Sequence, residues 1–153
     1  MDMERFRIMR WMAGSCFLAA LFASCSADPA RSAGEGCEES AAAFWRDFRG
    51  AALGENPVAV IPFVRFPLER RSELDEDGSS TLSKEAFSGA FTALLGSDSG
   101  LRQEEFPVRA VIQRTEVVKN VKCTPRSGEF DVSLLRFQRT DQGWKLVRIY
   151  VNE

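Results

Sequence analysis

An apolar stretch near the start of the chain, Trp11 to Ala23, separates a leader from the part of the sequence that can fold. Three arginines within the first ten residues precede the stretch, and the small pair Ala23-Ser24 ends it. A basic start, an apolar stretch of about 7–15 residues and a small-residue exit are typical of a secretory signal peptide. A permanent membrane-spanning helix would need about 20 apolar residues. We therefore predict that residues 1–24 are a signal peptide; the alternative is a buried N-terminal helix.

The end of the leader, residues 21–25 (LFASC), resembles the lipobox of bacterial lipoproteins, although Phe22 replaces the usual Leu. The resemblance implies that Cys25 is lipidated and becomes the mature N-terminus. It also implies a bacterial envelope protein on the periplasmic side, with its lipid anchor in a membrane. The residue after Cys25 is Ser rather than Asp, which favours the outer membrane by analogy with other lipoproteins. A second motif of this form ends at Cys16, but only two residues separate it from Arg10, so no apolar stretch precedes it.

This interpretation assigns a role to each of the four cysteines. Cys16 leaves with the signal peptide and Cys25 carries the lipid, so Cys37 and Cys123 remain as a pair in an oxidising compartment. We predict a disulfide between them; the alternative is two buried free thiols. Because the two positions are 86 residues apart, the loop entropy of the unfolded chain suggests a stabilisation of about 4–5 kcal/mol as an upper estimate.

Composition limits the chemistry that the chain can perform. The net charge is −2, so no basic field attracts nucleic acid, and no nucleic-acid partner is expected. The chain contains no histidine, which removes the commonest general base and metal ligand at neutral pH. Without a histidine base, no Ser or Cys nucleophile is recognisable. We expect no cofactor and no metal.

Downstream of the leader, residues 25–36 have little to bury, and we interpret them as a flexible tether. Residues 37–153 are predicted to form a single domain. Apolar periodicity, cap residues and turn residues predict its elements. The predicted helices are Glu38–Leu53, Val58–Val64 (capped by Asn56) and Lys84–Leu95 (capped by Ser83); the predicted strands are Phe66–Ser72, Val108–Lys122, Phe130–Leu134 and Trp144–Val151; the predicted turns are Glu73–Thr81, Thr124–Gly128 and Asp141–Gly143. Pro67 implies an edge position or an irregular start for the first strand.

This order of elements predicts an α+β domain, in which N-terminal helices pack on a curved antiparallel sheet of about four strands. The segments Phe44–Arg49 (FWRDFR), Phe66–Leu68 (FPL), Phe87–Leu95 and Gly143–Val151 (GWKLVRIYV) resemble the small envelope proteins of the nuclear transport factor 2-like superfamily. The resemblance covers residues 37–153. It implies a cone-shaped domain with a pocket at its open end. Members include isomerases, dehydratases and many non-catalytic binding modules, so the fold does not decide the function.

For an enzyme of this fold, the resemblance implies a carboxylate base and a Tyr donor in an apolar pocket. Asp131 and Tyr150, on strands that we predict to be adjacent, are the weak catalytic candidates. The alternatives are a solvated Asp and a Tyr that packs in the core. Basic residues of the first helix and first strand offer a second candidate site, a patch for an anionic ligand, although exposed surface charge is the simpler interpretation. These residues are Arg46, Arg49, Arg65, Arg70 and Arg71.

The acidic segment Glu73–Thr81 suggests a calcium loop at first sight. The registers that begin at Asp75 and at Glu73 both lack the Glu that such a loop requires at its twelfth position. We therefore interpret the segment as a solvated acidic turn that leads into the Ser83 cap.

The sequence favours a non-catalytic binding module over an enzyme, with a small hydrophobic ligand or another envelope protein as its partner. The competing hypotheses are a lyase or isomerase that uses a buried carboxylate, and an accessory or inhibitor protein of another envelope component. A deep apolar pocket that contains an inward carboxylate would favour the enzyme. A filled interior without a pocket would favour the accessory protein.

Overall fold

The computed structural model describes residues 29–72, 78–99 and 106–151, with side chains from residue 36 onward. The predicted signal peptide, the predicted lipidation site Cys25 and the first residues of the predicted tether lie outside these ranges, as does most of the acidic segment (residues 73–77). Within the described ranges, the helices and strands form the α+β arrangement that the sequence predicts, with a larger sheet than expected. No helix in this part of the chain is long and apolar enough to cross a membrane.

The described residues contain three α-helices, one 3₁₀ helix and one six-stranded sheet. The helices are α1 (Pro29–Leu53), the 3₁₀ helix (Pro57–Phe63), α2 (Lys84–Gly96) and α3 (Val108–Arg114). The strands are β1 (Val64–Ser72), β2 (Ser79–Leu82), β3 (Lys122–Cys123), β4 (Gly128–Val132), β5 (Leu135–Thr140) and β6 (Gly143–Val151). Their order across the sheet is β2-β1-β6-β5-β4-β3.

Helix α1 buries the apolar stripe that the sequence predicts. Ala41, Trp45, Phe48 and Ala52 recur every three or four residues and are all at most 2% exposed. The helix ends at Leu53 as predicted, but it begins at Pro29 rather than Glu38, so the predicted start was wrong. The added turns contain no large apolar residue, and hydrophobic periodicity therefore gives no signal for them.

Both predicted N-caps are confirmed. Asn56 Oδ1 accepts a hydrogen bond from the backbone N–H of Val58 at 3.0 Å, and Pro57 begins the 3₁₀ helix, where its missing N–H has no consequence. Ser83 Oγ accepts from the backbone N–H of Ala86 at 3.4 Å and starts α2. The two predicted caps therefore mark where the 3₁₀ helix and α2 begin.

The segment Val108–Arg114 is helix α3 and not the strand that its β-branched composition predicts. Val108 and Ile112, four residues apart, are fully buried on one side of the helix. Arg49 of α1 donates from Nε to the carbonyl of Ile112 at 3.1 Å and from Nη2 to the carbonyl of Gln113, so it caps the C-terminal end of α3. Tertiary contacts therefore override the β-propensity of this segment.

The expected sheet of about four antiparallel strands is also corrected. Strand β2 (SSTL) falls partly within the segment predicted as a turn, and it pairs antiparallel with β1, with Leu82 opposite Leu68. Its first three residues are exposed, so no apolar alternation marks it as a strand. Strand β1 pairs on its other side with β6 in parallel, which makes the sheet mixed. The register with β6 shifts between Val64 and Glu69, around Pro67, which is the irregular start that this proline predicts.

Aromatic rings fill the space between α1 and the sheet. The rings of Phe48 and Phe137 meet edge to face with centroids 4.9 Å apart, and Phe130 stacks on Phe137 at 4.7 Å. Trp45 contacts the same two sheet residues. Such pairs add about 0.5–1.5 kcal/mol each beyond the area that they bury. The centre of the domain is therefore a packed aromatic layer.

The predicted disulfide between Cys37 and Cys123 is confirmed, and it ties α1 to β3. Cys37 is 1% exposed and lies beside the indole of Trp144 and the backbone of Gly128. A Cβ at position 128 would approach Cη2 of Trp144 to 2.7 Å and Sγ of Cys37 to 3.0 Å. The bridge, the indole and the strand backbone are thus in close contact, and only glycine fits between them.

We predict that Gly128→Ala lowers the free energy of unfolding by about 1–3 kcal/mol, because the added methyl group overpacks this contact. Gly50→Ala is the matched control, since a Cβ at this exposed helical position meets nothing within 4 Å. It should raise the free energy of unfolding by about 0.5–1 kcal/mol through its better helix propensity. Urea unfolding of the oxidised proteins measures both values. Equal effects of the two substitutions would contradict the close contact.

Candidate functional site

A row of ionic contacts crosses the face of the sheet that is turned away from the helices. Asp131 of β4 and Arg136 of β5 are cross-strand partners, and both alternate with buried residues. Arg136 donates from Nε to Oδ1 of Asp131 at 2.8 Å and from Nη2 to Oδ2 at 2.9 Å. This two-point contact raises the pKa of the Arg136 guanidinium above its ordinary value. Both oxygens of Asp131 therefore already accept hydrogen bonds from a cation.

The row continues on β6 and β1 through Arg148. Its Nη1 donates to the Tyr150 hydroxyl at 3.2 Å, and its Nη2 lies 2.8 Å from Oε2 of Glu69. The hydrogen bond with Tyr150 and that with Glu69 raise the pKa of Arg148. The side chain is only 19% exposed, and its Nε is buried without a hydrogen-bond partner among the described atoms. We call Asp131, Arg136, Tyr150, Arg148 and Glu69 the charge ladder.

The two weak catalytic candidates are not on neighbouring strands, contrary to the prediction. Asp131 lies on β4 and Tyr150 on β6, with β5 between them. Arg136 of β5 fills the gap, and its guanidinium carbon lies 5.8 Å from the centre of the Tyr150 ring. The structure therefore joins the two candidates only through a third residue, a cation that the sequence analysis did not select.

Asp131 also borders an open cleft, which has a volume of about 520 Å³. The other walls are Val132 at the end of β4, Ser133 of the β4–β5 turn, and the end of α3 with the segment that follows it, residues 111 and 114–120. The Asp131 side chain is 48% exposed. This cleft is open and largely polar, which differs from the deep apolar pocket with an inward carboxylate that an enzyme of this fold would need.

A second cleft lies on the helix side of the sheet, between α2 and strands β1 and β6, and has a volume of about 340 Å³. We call it the α2 cleft. Its lining residues are Arg70, Ala90, Ala93, Leu94, Ser97, Ile149 and Val151. Five of these seven are apolar and none is acidic. The α2 cleft therefore combines apolar walls with one guanidinium and one hydroxyl group.

A small polar cleft of about 120 Å³ adjoins the α2 cleft, because Arg70 and Val151 line both. Its remaining lining residues are Arg71, Ser72, Gly78, Ser79 and Ser80. Hydrogen-bond donors dominate this lining: two guanidinium groups and three hydroxyl groups. We call it the β1–β2 cleft, since it lies where these two strands meet.

The five arginines proposed as one basic patch lie on two elements. Arg46 and Arg49 are on α1. Nε of Arg46 lies 3.6 Å from Oδ1 of Asp47, and Arg49 caps α3. The other three are on β1, and of these Arg70 and Arg71 line a common cleft. Of the five predicted residues, the structure therefore places Arg70 and Arg71 side by side at the β1–β2 cleft.

Among the described residues, no group of three or more His, Cys, Asp or Glu side chains is placed to hold a metal ion. Comparison of the chain with models of known protein families, with curated proteins and with solved structures found no match. The functional interpretation consequently depends on the geometry of the clefts and of the charge ladder. Three residues of the charge ladder, Arg136, Arg148 and Glu69, were not predicted as site residues. Arg136 and Arg148 each lie between two apolar residues, which marks them as outward positions on strands, whereas Glu69 is followed by two arginines and carries no such signal.

We predict that Glu69→Gln lowers the free energy of unfolding by about 1–3 kcal/mol, because it removes the charged partner of the largely buried Arg148. Asp131→Asn should lower it by only about 0.2–1 kcal/mol, because that pair is more exposed to water and is screened. Urea unfolding in low salt measures both, and 1 M NaCl should reduce the smaller effect most. A larger effect of Asp131→Asn would contradict this ranking.

Proposed function

We propose that this chain is an exported, lipid-anchored binding module without catalytic activity, and that its ligand occupies the α2 cleft. The observation that carries the proposal is the composition of that cleft, whose described lining is apolar around a single guanidinium and contains no carboxylate. Ligand sites of this kind have mostly apolar walls and a few polar groups that fix orientation. A general base, which a lyase or isomerase would need there, has no counterpart among the described lining residues.

The proposed location is the periplasmic side of a bacterial envelope, with the lipid on Cys25 as the contact with the membrane. The disulfide supports an oxidising compartment, because such bonds persist mainly outside the cytoplasm. It also uses Cys37 and Cys123, which leaves Cys25 available for lipid. The outer membrane remains the favoured site for the anchor.

The nuclear transport factor 2-like cone is part of the same proposal. Helices α1 and α2 on one face of a single sheet support it, as does the large share of the sheet that is formed by the last third of the chain. The superfamily contains many binding modules, which agrees with the function proposed, but fold alone does not assign a ligand.

An accessory or inhibitor protein that docks on another envelope component is the second candidate. The packed aromatic layer favours it, because the rings of α1 and of the sheet contact one another directly at the centre of the described residues. The alternative of a lyase or isomerase has Asp131 as its carboxylate. Arg136 engages both oxygens of this side chain, and the walls around it are polar.

We predict that the protein purified from its own envelope retains a small molecule, visible as an added mass in native mass spectrometry. Ala93→Phe should abolish the added mass, because a ring at this exposed lining position reaches across the α2 cleft. Ala42→Phe, at an exposed position of α1, is the matched control and should retain it. A protein partner in place of the small molecule would support the accessory function instead.

We predict that Cys25→Ala leaves an unprocessed precursor, because in the lipoproteins that this leader resembles the lipidated cysteine becomes the mature N-terminus. Cys16→Ala is the matched control and should be processed normally, since its motif lacks a preceding apolar stretch. Intact mass of the membrane fraction distinguishes an acylated chain that begins at Cys25 from a full-length, unacylated one. Normal processing of Cys25→Ala would overturn the proposed anchor.

A further inference from the structure

We infer that the open edge of strand β4 binds an extended peptide segment of a partner protein, which adds to the sheet as a further strand beside Asp131. The site is the cleft of about 520 Å³ between β4 and residues 116–120, which we call the β4 cleft. It is separate from the proposed ligand site, because the β4 cleft and the α2 cleft have no described lining residue in common. Three features support strand addition here: the end of the ladder between β3 and β4, the backbone groups left at that point, and the lining of the cleft.

The described ladder between β3 and β4 ends before it reaches Asp131. Lys122 of β3 is the partner of Glu129 of β4, and Asn120 would be the partner of Asp131 if this register continued. Asn120 instead has a φ of 57°, a left-handed conformation that is uncommon outside glycine and that differs from the extended backbone of a strand. Residues 116–120 and Asp131 therefore line a cleft where a ladder would otherwise join them.

The backbone of Asp131 directs its hydrogen-bonding groups towards this cleft. Successive residues of an antiparallel strand direct their N–H and C=O groups alternately to its two sides. The carbonyl of Ser127 accepts from the N–H of Thr124 at 2.8 Å on the β3 side, so Glu129 and Asp131 face that side as well. Lys122 is the partner of Glu129, whereas no hydrogen bond joins the backbone of Asp131 to another described residue on this side. One donor and one acceptor of the sheet are thus left for an added strand.

The lining of the β4 cleft favours recognition through the main chain over recognition through charge. Its charged side chains are two basic and two acidic, so even with Asp131 paired to Arg136 only one charge is unbalanced. Four of its eleven lining residues are valines. Val118 and Val132 are buried, whereas Val117 is 64% exposed. In strand addition, main-chain hydrogen bonds supply affinity and alternate side chains supply specificity, so a segment with apolar residues at alternate positions suits this lining.

A second copy of this chain is the competing occupant, because its own β4 edge has the same unused groups. Two such edges would pair antiparallel about a twofold axis, with Asp131 directly opposite Asp131 of the other copy. Like charges directly opposite each other on neighbouring strands are destabilising. A segment of another protein is free of this repulsion, and it is therefore the occupant that the structure favours.

The test selects short peptides from a random displayed library against the full-length chain in lipid nanodiscs, with empty nanodiscs as the counter-selection. We expect the selected peptides to have apolar residues at alternate positions. The strongest binder is then synthesised as the probe, and hydrogen exchange of its complex should show protection of the Asp131 amide.

Two derivatives of the probe separate main-chain pairing from side-chain recognition. One carries N-methyl groups at its odd residues and the other at its even residues. Only alternate N–H groups of an added strand donate to β4, so one derivative should bind at least about tenfold more weakly than the other. This comparison uses the natural sequence and needs no variant of the protein.

A pair of substitutions examines the same hydrogen bond from the side of the protein. Asp131→Pro removes the backbone N–H at the open edge, whereas Asp131→Ala loses the same carboxylate and retains the N–H. Asp131→Pro should therefore bind the probe about tenfold more weakly than Asp131→Ala does. Proline is accepted at edge positions whose N–H faces outward, so the pairing of β4 with β5 should remain. Cooperative unfolding and an intact disulfide establish that both variants are folded.

Similar affinities of the two N-methylated derivatives would overturn strand addition, because side-chain recognition alone does not distinguish them. A selection that enriches no peptide, or a probe that leaves the exchange of the Asp131 amide unchanged, would overturn it as well. Self-association of the free chain that Asp131→Pro abolishes would assign the edge to a second copy and overturn the partner peptide. Protection of the Asp131 amide, together with the tenfold difference between the derivatives, would establish the β4 edge as a peptide-binding surface.

Discussion

The packing of α1 against the sheet is the interaction on which the other features of this domain depend. Trp45 and Phe48 contact Phe130 and Phe137, which fixes the distance and angle between helix and sheet. The indole N–H of Trp45 also donates to the carbonyl of Thr115 at 2.8 Å and holds the end of α3. The disulfide adds a covalent link at the start of the same contact. Loss of the aromatic layer would therefore also remove the contact of Trp45 with the end of α3.

This arrangement gives the two faces of the sheet different roles. On the outer face, oppositely charged side chains of neighbouring strands form ion pairs, and this charge ladder stabilises the sheet. Both of its carboxylates already contact guanidinium groups. On the helix side, a cleft lies between α2 and strands β1 and β6. The small alanines of α2 leave the cleft in which Arg70 projects among apolar residues. The face with the most ionisable groups is thus not the face on which we place the ligand.

The structure could be predicted from the sequence where a local pattern determines it. The buried stripe of α1, the caps Asn56 and Ser83, and the pairing of Cys37 with Cys123 follow from spacing, cap chemistry and cysteine count. The structure could not be predicted where contacts between residues distant along the chain determine it. Helix α3 is β-branched in composition and is held by side chains from α1, and β2 is a polar strand that exists because β1 offers it a partner. The same reason applies to the α2 cleft, which does not follow from the sequence because it lies between β1, α2 and β6, and β6 is distant from the other two along the chain.

The parallel pairing of β1 with β6 has a consequence for the order in which the molecule can be assembled. These strands are the first and the last of the sheet along the chain, and β6 lies between β1 and β5 at its centre. A polypeptide that emerges from its N-terminus cannot join β1 to β5 until Gly143–Val151 has arrived. A chain that stops before Gly143 would have two half-sheets with no common strand. The sheet is therefore complete only after β6 has been synthesised, and the nascent chain needs protection from aggregation until then.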